Sequence, residues 1–220
     1  MNATRLLTID IRSWWHAGTG RGGGEDADAV VERDHDGLPF LPGRHVKGLL
    51  RDAAFRLEHW GALQSDTTRL LFGNDPEAER ELNHEGFRRD THEGGLRISN
   101  ATLPLSVRAQ LRKAEKGTSR AALFGSLANT AIDEARGVAK SKSLRRTEVT
   151  IPLRLTSNIT WSPPPGYPGW NDRERAVVKS LETKWPHLLS DEILPLVRAV
   201  GAHRSRGLGR ATLSLPDARS

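Results

Sequence analysis

The segment that begins at Pro42 constrains the fold most, because it carries the clearest helical pattern in the chain. In PGRHVKGLLRDAAFRLEHW, a single stripe at helical spacing contains the apolar residues Val46, Leu49, Leu50, Ala53, Leu57 and Trp60. Proline is favoured in the first turn of a helix, so Pro42 marks its start. The opposite face is basic, which by itself is typical of the solvated side of an amphipathic helix. We therefore predict one amphipathic helix with a buried apolar stripe.

Alternating apolar and polar residues predict strands before and after this helix. Such alternation has the period of a half-buried strand. It occurs at Arg5–Trp15, at Leu96–Ile98, at Val149–Thr156 and at Arg210–Leu215. Two further helices are predicted, one over Ser119–Arg136 and one around Ser190–Val200 with a kink at Pro195.

The order of these elements predicts an α+β fold with a ferredoxin-like (RRM-like) βαββαβ core, in which helices pack on one face of an antiparallel sheet. Large loop insertions are expected at about residues 16–38, 74–95 and 106–145, where glycine, proline and charged residues predominate. A chain of 220 residues is long enough for one sizeable domain, so we expect residues 1–220 to form a single unit.

Charge and composition limit the classes of partner. Lys and Arg number 33 against 27 Asp and Glu, for a net charge of +6, which favours a polyanionic partner or reflects only a solvated basic surface. The chain has no cysteine, which excludes disulfides and thiolate metal sites. The chain contains no long apolar run. Its first residues, MNATRLLTIDIRS, alternate between apolar and polar side chains, whereas a signal peptide would contain a continuous apolar block. We expect a cytoplasmic protein with no membrane partner.

The segment GAHRSRGLGRATLSL combines glycines with arginines ahead of the last predicted strand. Gly201, Gly207 and Gly209 would allow close backbone approach, and Arg204, Arg206 and Arg210 would supply guanidinium groups for phosphate oxygens. The segment is therefore either a phosphate cradle or a tight helix-to-strand turn with exposed arginines.

A second segment, LPFLPGRHVKGLLRDAAF at residues 38–55, resembles the helix-opening motif of the RAMP superfamily of CRISPR subunits. Four further landmarks agree with the family and follow its order: LFG at 71–73, LRISNATL at 96–103, SLRRTEVTIP at 143–152 and SRGLGR at 205–210. Together they span most of the chain. The similarity is greatest to the guide-RNA-binding backbone subunits of type III effector complexes.

This resemblance implies an antiviral ribonucleoprotein subunit that holds guide RNA by its phosphates. It implies guide RNA, target RNA, other effector subunits and copies of the chain itself as partners. The helix start and the glycine-rich segment are expected to lie close together at the edge of the sheet. The expected RNA-binding residues are His16, Arg44, His45, Lys47, Arg51, Arg204, Arg206 and Arg210.

The resemblance also implies a catalytic aspartate in the loop that precedes the helix. In the backbone subunits, an aspartate there cuts target RNA with a divalent ion. Counting back from Leu38-Pro39 places Asp28 at that position, with Asp26 and Asp34 as alternatives. Asp28 would then hold Mg²⁺ or Mn²⁺ beside the phosphate, making the assembled chain a divalent-metal-dependent endoribonuclease. An ordinary solvated acidic loop is the competing interpretation.

Two other functions remain open. KSLRRTEV at 142–149 is similar to several branches of the superfamily, including non-cutting subunits that cap the filament, so the chain could be purely structural. It could also process guide RNA without metal, with a histidine as general acid or base. No Walker-type or GxGxxG motif occurs in a suitable context, so we expect no nucleotide cofactor, and the histidines lack zinc-ligand spacing.

Overall fold

The structure is a computed structural model. It describes residues 4–18, 20, 29–73, 93–113, 118–133, 135–141, 143–164 and 171–216. In these ranges the strands are β1 (Thr4–Ile11), β2 (Leu96–Ile98), β3 (Phe124–Asn129), β4 (Ile132–Asp133), β5 (Val138–Ala139), β6 (Arg145–Thr150), β7 (Arg154–Trp161) and β8 (Ala211–Ser214). The helices are α1 (Gly43–His59), α2 (Thr67–Phe72), α3 (Leu105–Lys113), α4 (Thr118–Ala121) and α5 (Asp172–His187).

The central sheet has four strands in the order β2-β7-β1-β8, and all three pairings are antiparallel. Ile9 at the middle of β1 lies opposite Leu155 of β7 and Leu213 of β8. With α1 following β1 and α5 lying between β7 and β8, the four strands of the central sheet and the two long helices follow the predicted βαββαβ order. The α+β fold expected from the sequence is therefore confirmed.

The core lies between the sheet and the helices. Alternate residues of β1 are buried, as the pleat of a strand requires, and they share one cluster with the apolar stripe of α1. Leu6 of β1, on the other face of the sheet, is 48% exposed. Among the described residues, no helix combines the length and the apolar character needed to cross a membrane.

Helix α1 begins and ends as its sequence predicted. Pro42 is its N-cap, with φ of −55° and ψ of 136°, and Trp60 is its C-cap. At the far end, the Glu58 carboxylate accepts hydrogen bonds from the backbone N–H groups of Asp66 (2.7 Å) and Thr68 (2.8 Å), which joins α1 to the start of α2. The C-terminal end of the helix is thus fixed to the element that follows it.

The predicted helix over Ser119–Arg136 is wrong beyond its first turn. Among the described residues of this range, only those of α4 are helical, and β3 and β4 follow them. β3 pairs with β6 in register from Phe124 opposite Thr150 to Asn129 opposite Arg145, and β4 pairs with β5 further out. These strands form a long hairpin arm, because pairing with a distant segment overrides a weak local helical pattern. The strand predicted at Val149–Thr156 is correspondingly divided at Pro152 into β6 and β7.

The main helix of the last third lies earlier than predicted. It is α5, which opens with a capping box between Asn171 and Glu174 and buries Val177, Leu181 and Trp185. The predicted helix around Ser190–Val200 is instead a π-helical segment at Leu188–Ile193 followed by a 3₁₀ turn at Leu194–Leu196. Pro195 lacks the N–H that a regular helix would need at that point.

The three predicted insertions are described only in part. Residues 21–28 and 74–92 lie outside the described residues. Residues 29–38, at the end of the first insertion, run against β6 and α3, whereas the third insertion contains α3, α4 and the hairpin arm.

Candidate nucleic-acid interface

The glycine-arginine loop, residues 201–210, connects the last helical turns to β8. Its shape depends on residues in the left-handed region, including Gly201 (φ 78°) and Gly209 (φ 69°). A Cβ on Gly209 would lie 1.8 Å from the carbonyl oxygen of Val200, so no larger residue fits there. His203 also adopts a positive φ of 56°, and it opens the short 3₁₀ turn that carries Arg204 and Arg206. The glycines are needed here for a tight turn.

The loop is anchored to the segment that follows β1. The N–H of Gly209 donates to the carbonyl of Trp14, and the N–H of Ala202 donates to the carbonyl of His16, both at 2.7 Å. The Ser13 hydroxyl bridges the loop, since it donates to the carbonyl of Gly207 (3.2 Å) and accepts from the N–H of Arg210 (2.9 Å). These contacts hold the loop in one orientation.

The three arginines of the loop point into solvent. Arg204, Arg206 and Arg210 are all exposed, and none of them forms an ion pair with another described residue. A fixed backbone therefore presents several guanidinium groups whose charge is not neutralised by neighbouring described carboxylates. Such groups bind phosphate oxygens through paired N–H donors.

His45 connects α1 to this loop. Its Nε2 accepts a hydrogen bond from the N–H of Gly201 at 2.9 Å. Burial lowers the pKa of His45 and the positive charge of Arg204 lowers it further, so the imidazole is held neutral. The first turn of α1 and the glycine-arginine loop are thus in direct contact, as the sequence predicted.

Lys47 and Arg51 belong to a second basic group on another flank of α1. Burial lowers the pKa of Lys47, the charges of Arg97 and Arg51 lower it further, and Glu93 opposes them. Arg97 lies on β2, at the opposite edge of the sheet from β8. The structure therefore brings His45 to the loop and brings Lys47 to Arg97, because residues two apart on a helix face different directions.

Arg97 was not predicted as a site residue. The segment LRI indicated its exposure, since Leu96 is apolar and buried and the alternation of a strand turns the next residue outwards.

Arg44 is exposed on the first turn of α1. Gly43 lies so close to the end of β2 that a Cβ would be 2.3 Å from the carbonyl oxygen of Ile98, and its N–H donates to the Asn100 side chain.

His16 is buried rather than displayed. Its side chain is 4% exposed, and Nδ1 lies 2.6 Å from the carbonyl oxygen of Glu148, to which it donates. Its ring centroid is 6.3 Å from that of His203. The structure gives His16 a packing role between β1, β6 and the loop, and a contact with RNA stays a prediction.

Of the predicted catalytic aspartates, Asp26 and Asp28 lie outside the described residues. The chain that follows them is fixed against β6: Ala29 forms a bridge with Thr147, and the Glu148 carboxylate accepts from the N–H of Val31 (2.9 Å) and pairs with Arg33 (2.5 Å).

Asp34 is part of a turn and an ion-pair network. Its Oδ1 accepts from the N–H groups of Asp36 and Leu38, both at 2.9 Å, and its Oδ2 pairs with Arg108 at 2.7 Å. Arg108 and Arg112 also pair with Asp36. The hydrogen bond from Arg112 contributes most to lowering the pKa of Asp36, and the hydrogen bond from Arg108 lowers it further. Both carboxylates have existing partners in α3.

The donor atoms of Asp34, His35 and Asp36 lie within 4.8 Å of one another, a spacing that could accommodate a metal ion. The Oδ2 atoms of both carboxylates are already bound by Arg108, and a cation would have to displace a guanidinium group. The cluster therefore has the chemistry of a structural ion-pair network that fixes α3 against the turn at 34–38.

Comparison with known proteins gives one family and one fold. The family model of the RAMP superfamily matches residues 8–212. A chain of the type III-B Cmr-beta complex bound to cognate target RNA, solved by cryo-electron microscopy, superposes with a TM-score of 0.61 at 14% identity, over 96% of each chain. A chain of the apo Cmr-beta complex superposes with a TM-score of 0.61 at 12% identity, over 98% of each chain. No curated protein sequence matches significantly.

Proposed function

Because the chain belongs to the RAMP superfamily, we propose that it is a subunit of a type III CRISPR effector complex that binds guide RNA along its phosphate backbone and cleaves complementary target RNA in antiviral defence. The similar cryo-electron microscopy chains come from complexes of this type, one of them bound to target RNA. Other effector subunits and further copies of the chain would be its protein partners.

The anchored glycine-arginine loop is the observation that carries the proposal. Arg204, Arg206 and Arg210 are exposed on a backbone that residues 13–16 and His45 hold in place. Rigid placement lowers the entropic cost of binding, and guanidinium groups recognise phosphate irrespective of the bases. Lys47, Arg51 and Arg97 would extend the contact along the other flank of α1.

Cleavage would use Asp28, holding Mg²⁺ or Mn²⁺ beside the scissile phosphate. A divalent ion there would stabilise charge on the phosphate and activate the nucleophile, which arginines alone cannot do. The arginine contacts made by Asp34 favour Asp28 over Asp34 in this role. A non-catalytic subunit that only holds guide RNA is the alternative, and KSLRRTEV at 142–149 is the feature that favours it.

Binding is tested by filter retention of the full chain with several single-stranded RNAs of equal length and unrelated sequence. We expect affinities that agree within a few fold, because phosphate contacts carry no sequence information. A strong preference for one sequence would contradict backbone binding.

Cleavage is tested with the chain assembled with guide RNA and its partner subunits, on complementary RNA with Mg²⁺. We expect Asp28→Ala to abolish cutting while guide RNA stays bound, and Asp34→Asn to retain cutting. Undiminished cutting by the Asp28 variant would remove the assignment. Absence of cutting by the wild-type assembly would indicate the structural alternative, and cutting that persists in EDTA would indicate a metal-independent nuclease.

A further inference from the structure

The five tryptophans within the described part of the chain divide into buried and exposed members. Trp15, Trp161 and Trp185 are 0%, 2% and 0% exposed and belong to the core. Trp14 and Trp60, by contrast, are 40% and 63% exposed. Burial of an indole ring is strongly favourable in free energy. A tryptophan that stays exposed on a charged surface is therefore a candidate for contact with a binding partner.

Trp14 is held at the junction of three elements. It follows β1, its carbonyl accepts the 2.7 Å hydrogen bond from Gly209 of the glycine-arginine loop, and its six-membered ring lies against Gly125 of β3. A Cβ on Gly125 would be 3.3 Å from the two nearest ring carbons, so the glycine lets the indole lie close to the strand. The indole ring of Trp14 therefore packs against the hairpin arm.

The surroundings of Trp14 are those of a phosphate-binding surface. Ser13, the preceding residue, donates to the carbonyl of Gly207 and accepts from the N–H of Arg210. Arg206 directly precedes Gly207, and both arginines are exposed. A polynucleotide whose phosphates contact these arginines would bring its sugars and bases within reach of the neighbouring indole.

We propose that Trp14 is a stacking platform for a base of the single-stranded RNA whose phosphates the glycine-arginine loop binds. This inference rests on the proposed RNA-binding function and adds to it a contact with the bases. Stacking on an aromatic ring is available to every base, so it strengthens binding without reading sequence. The exposed arginines of the loop, whose backbone contacts Ser13 and Trp14, favour a nucleic acid over a second protein chain as the occupant.

Trp60 provides a matched control. It caps the C-terminal end of α1, whereas His45, at the other end, contacts the loop. At 1.5 Å per residue, the 15 steps from His45 to Trp60 span about 22 Å. Trp60 is thus exposed like Trp14 but stands away from the loop.

The experiment compares two ligands, hexauridylate and an abasic ribose-phosphate oligomer of the same length, on the wild-type chain and its variants. We expect Trp14→Ala and Trp14→Leu to weaken binding of hexauridylate by about 5- to 150-fold while binding of the abasic oligomer is unchanged. Trp14→Phe should retain most of the affinity, and Trp60→Ala should match the wild type. The leucine variant keeps apolar bulk, so it tests stacking even where alanine lowers the melting temperature.

Each other outcome has a defined meaning. Equal losses on both oligomers, or no loss on hexauridylate, would overturn stacking while leaving the phosphate contacts in place. A wild-type chain that binds neither oligomer would overturn the proposed function as well as the inference. A Trp14→Leu variant that changes only the sedimentation of the RNA-free protein would identify a second copy of the chain as the occupant, which also overturns it.

Discussion

Gly48 is a residue whose identity the packing of the chain does not explain. It lies on the exposed face of α1, one turn after Arg44 and one turn before Arg51, and a Cβ there would meet no described atom outside the adjoining turns of α1 within 4 Å. Glycine inside a helix costs about 1 kcal/mol relative to alanine. Gly43 differs, since its Cβ would collide with the end of β2. Close approach of an RNA backbone to α1 would account for a glycine at position 48.

The change Gly48→Ala should therefore act in opposite directions on stability and on binding. We expect the free energy of unfolding to rise by about 1 kcal/mol in urea titrations. RNA affinity should fall, because the added methyl group keeps phosphates away from the helix. The control Gly43→Ala should lose stability. A more stable Gly48 variant with unchanged RNA affinity would show that RNA does not approach α1 at this position.

At the scale of elements, the contact between α1 and the glycine-arginine loop is sensitive to pH. The Nε2 of His45 can accept from Gly201 only while the imidazole is neutral. Burial and Arg204 lower the pKa of His45 in the folded protein. As the pH falls below 6.5, the ordinary pKa of histidine, the unfolded chain therefore takes up this proton before the folded chain does.

The free energy of unfolding should accordingly fall with decreasing pH from about 6.5 to the lower pKa of the folded state. The variant His45→Gln has an amide oxygen that can accept from Gly201 and does not titrate. We expect wild type to lose stability relative to this variant as the pH falls below about 6.5. Thermal unfolding of both proteins across about pH 5 to 8 measures the difference. His59→Gln, at the exposed end of α1, should follow wild type. Parallel curves for wild type and His45→Gln would contradict the assignment.

Elements with a strong local period could be predicted from the sequence. The helix from Gly43 and strands β1, β2 and β8 lie where the alternation or the apolar stripe indicated. The hairpin arm could not, because Phe124 pairs with Thr150, and local periodicity carries no information on partners at that separation. Helix α5 was missed although its Asn171-to-Glu174 capping box and apolar stripe are readable in the sequence.

The candidate site shows the same division. The family resemblance predicted that the start of α1 would meet the glycine-arginine loop, and the 2.9 Å contact between His45 and Gly201 agrees. The flank occupied by Lys47 depends on how α1 rotates over the sheet, which core packing decides. Only the structure places Lys47 near Arg97 and gives the Asp34 carboxylate a partner in Arg108.

For the whole molecule, the question is whether net charge or local charge drives RNA binding. The chain carries a net charge of +6, which would attract any polyanion at long range. Two pairs of basic residues separate the possibilities: Arg204 and Arg206 on the loop, and Arg173 and Lys179 on the exposed face of α5. Arg173 lines a depression with Gln64, beyond the C-terminal end of α1. Replacing either pair by alanine removes two charges.

If contacts at the loop dominate, Arg204→Ala/Arg206→Ala should reduce the slope of log affinity against log salt by about 1.4, since each phosphate contact to a single strand contributes about 0.7. Arg173→Ala/Lys179→Ala should leave that slope unchanged, although the net charge is the same in both variants. Filter binding of one single-stranded RNA at several salt concentrations measures both slopes. Equal reductions of the slope in both variants would mean that RNA binding depends on overall charge. They would contradict the assignment of the glycine-arginine loop as the phosphate-binding surface.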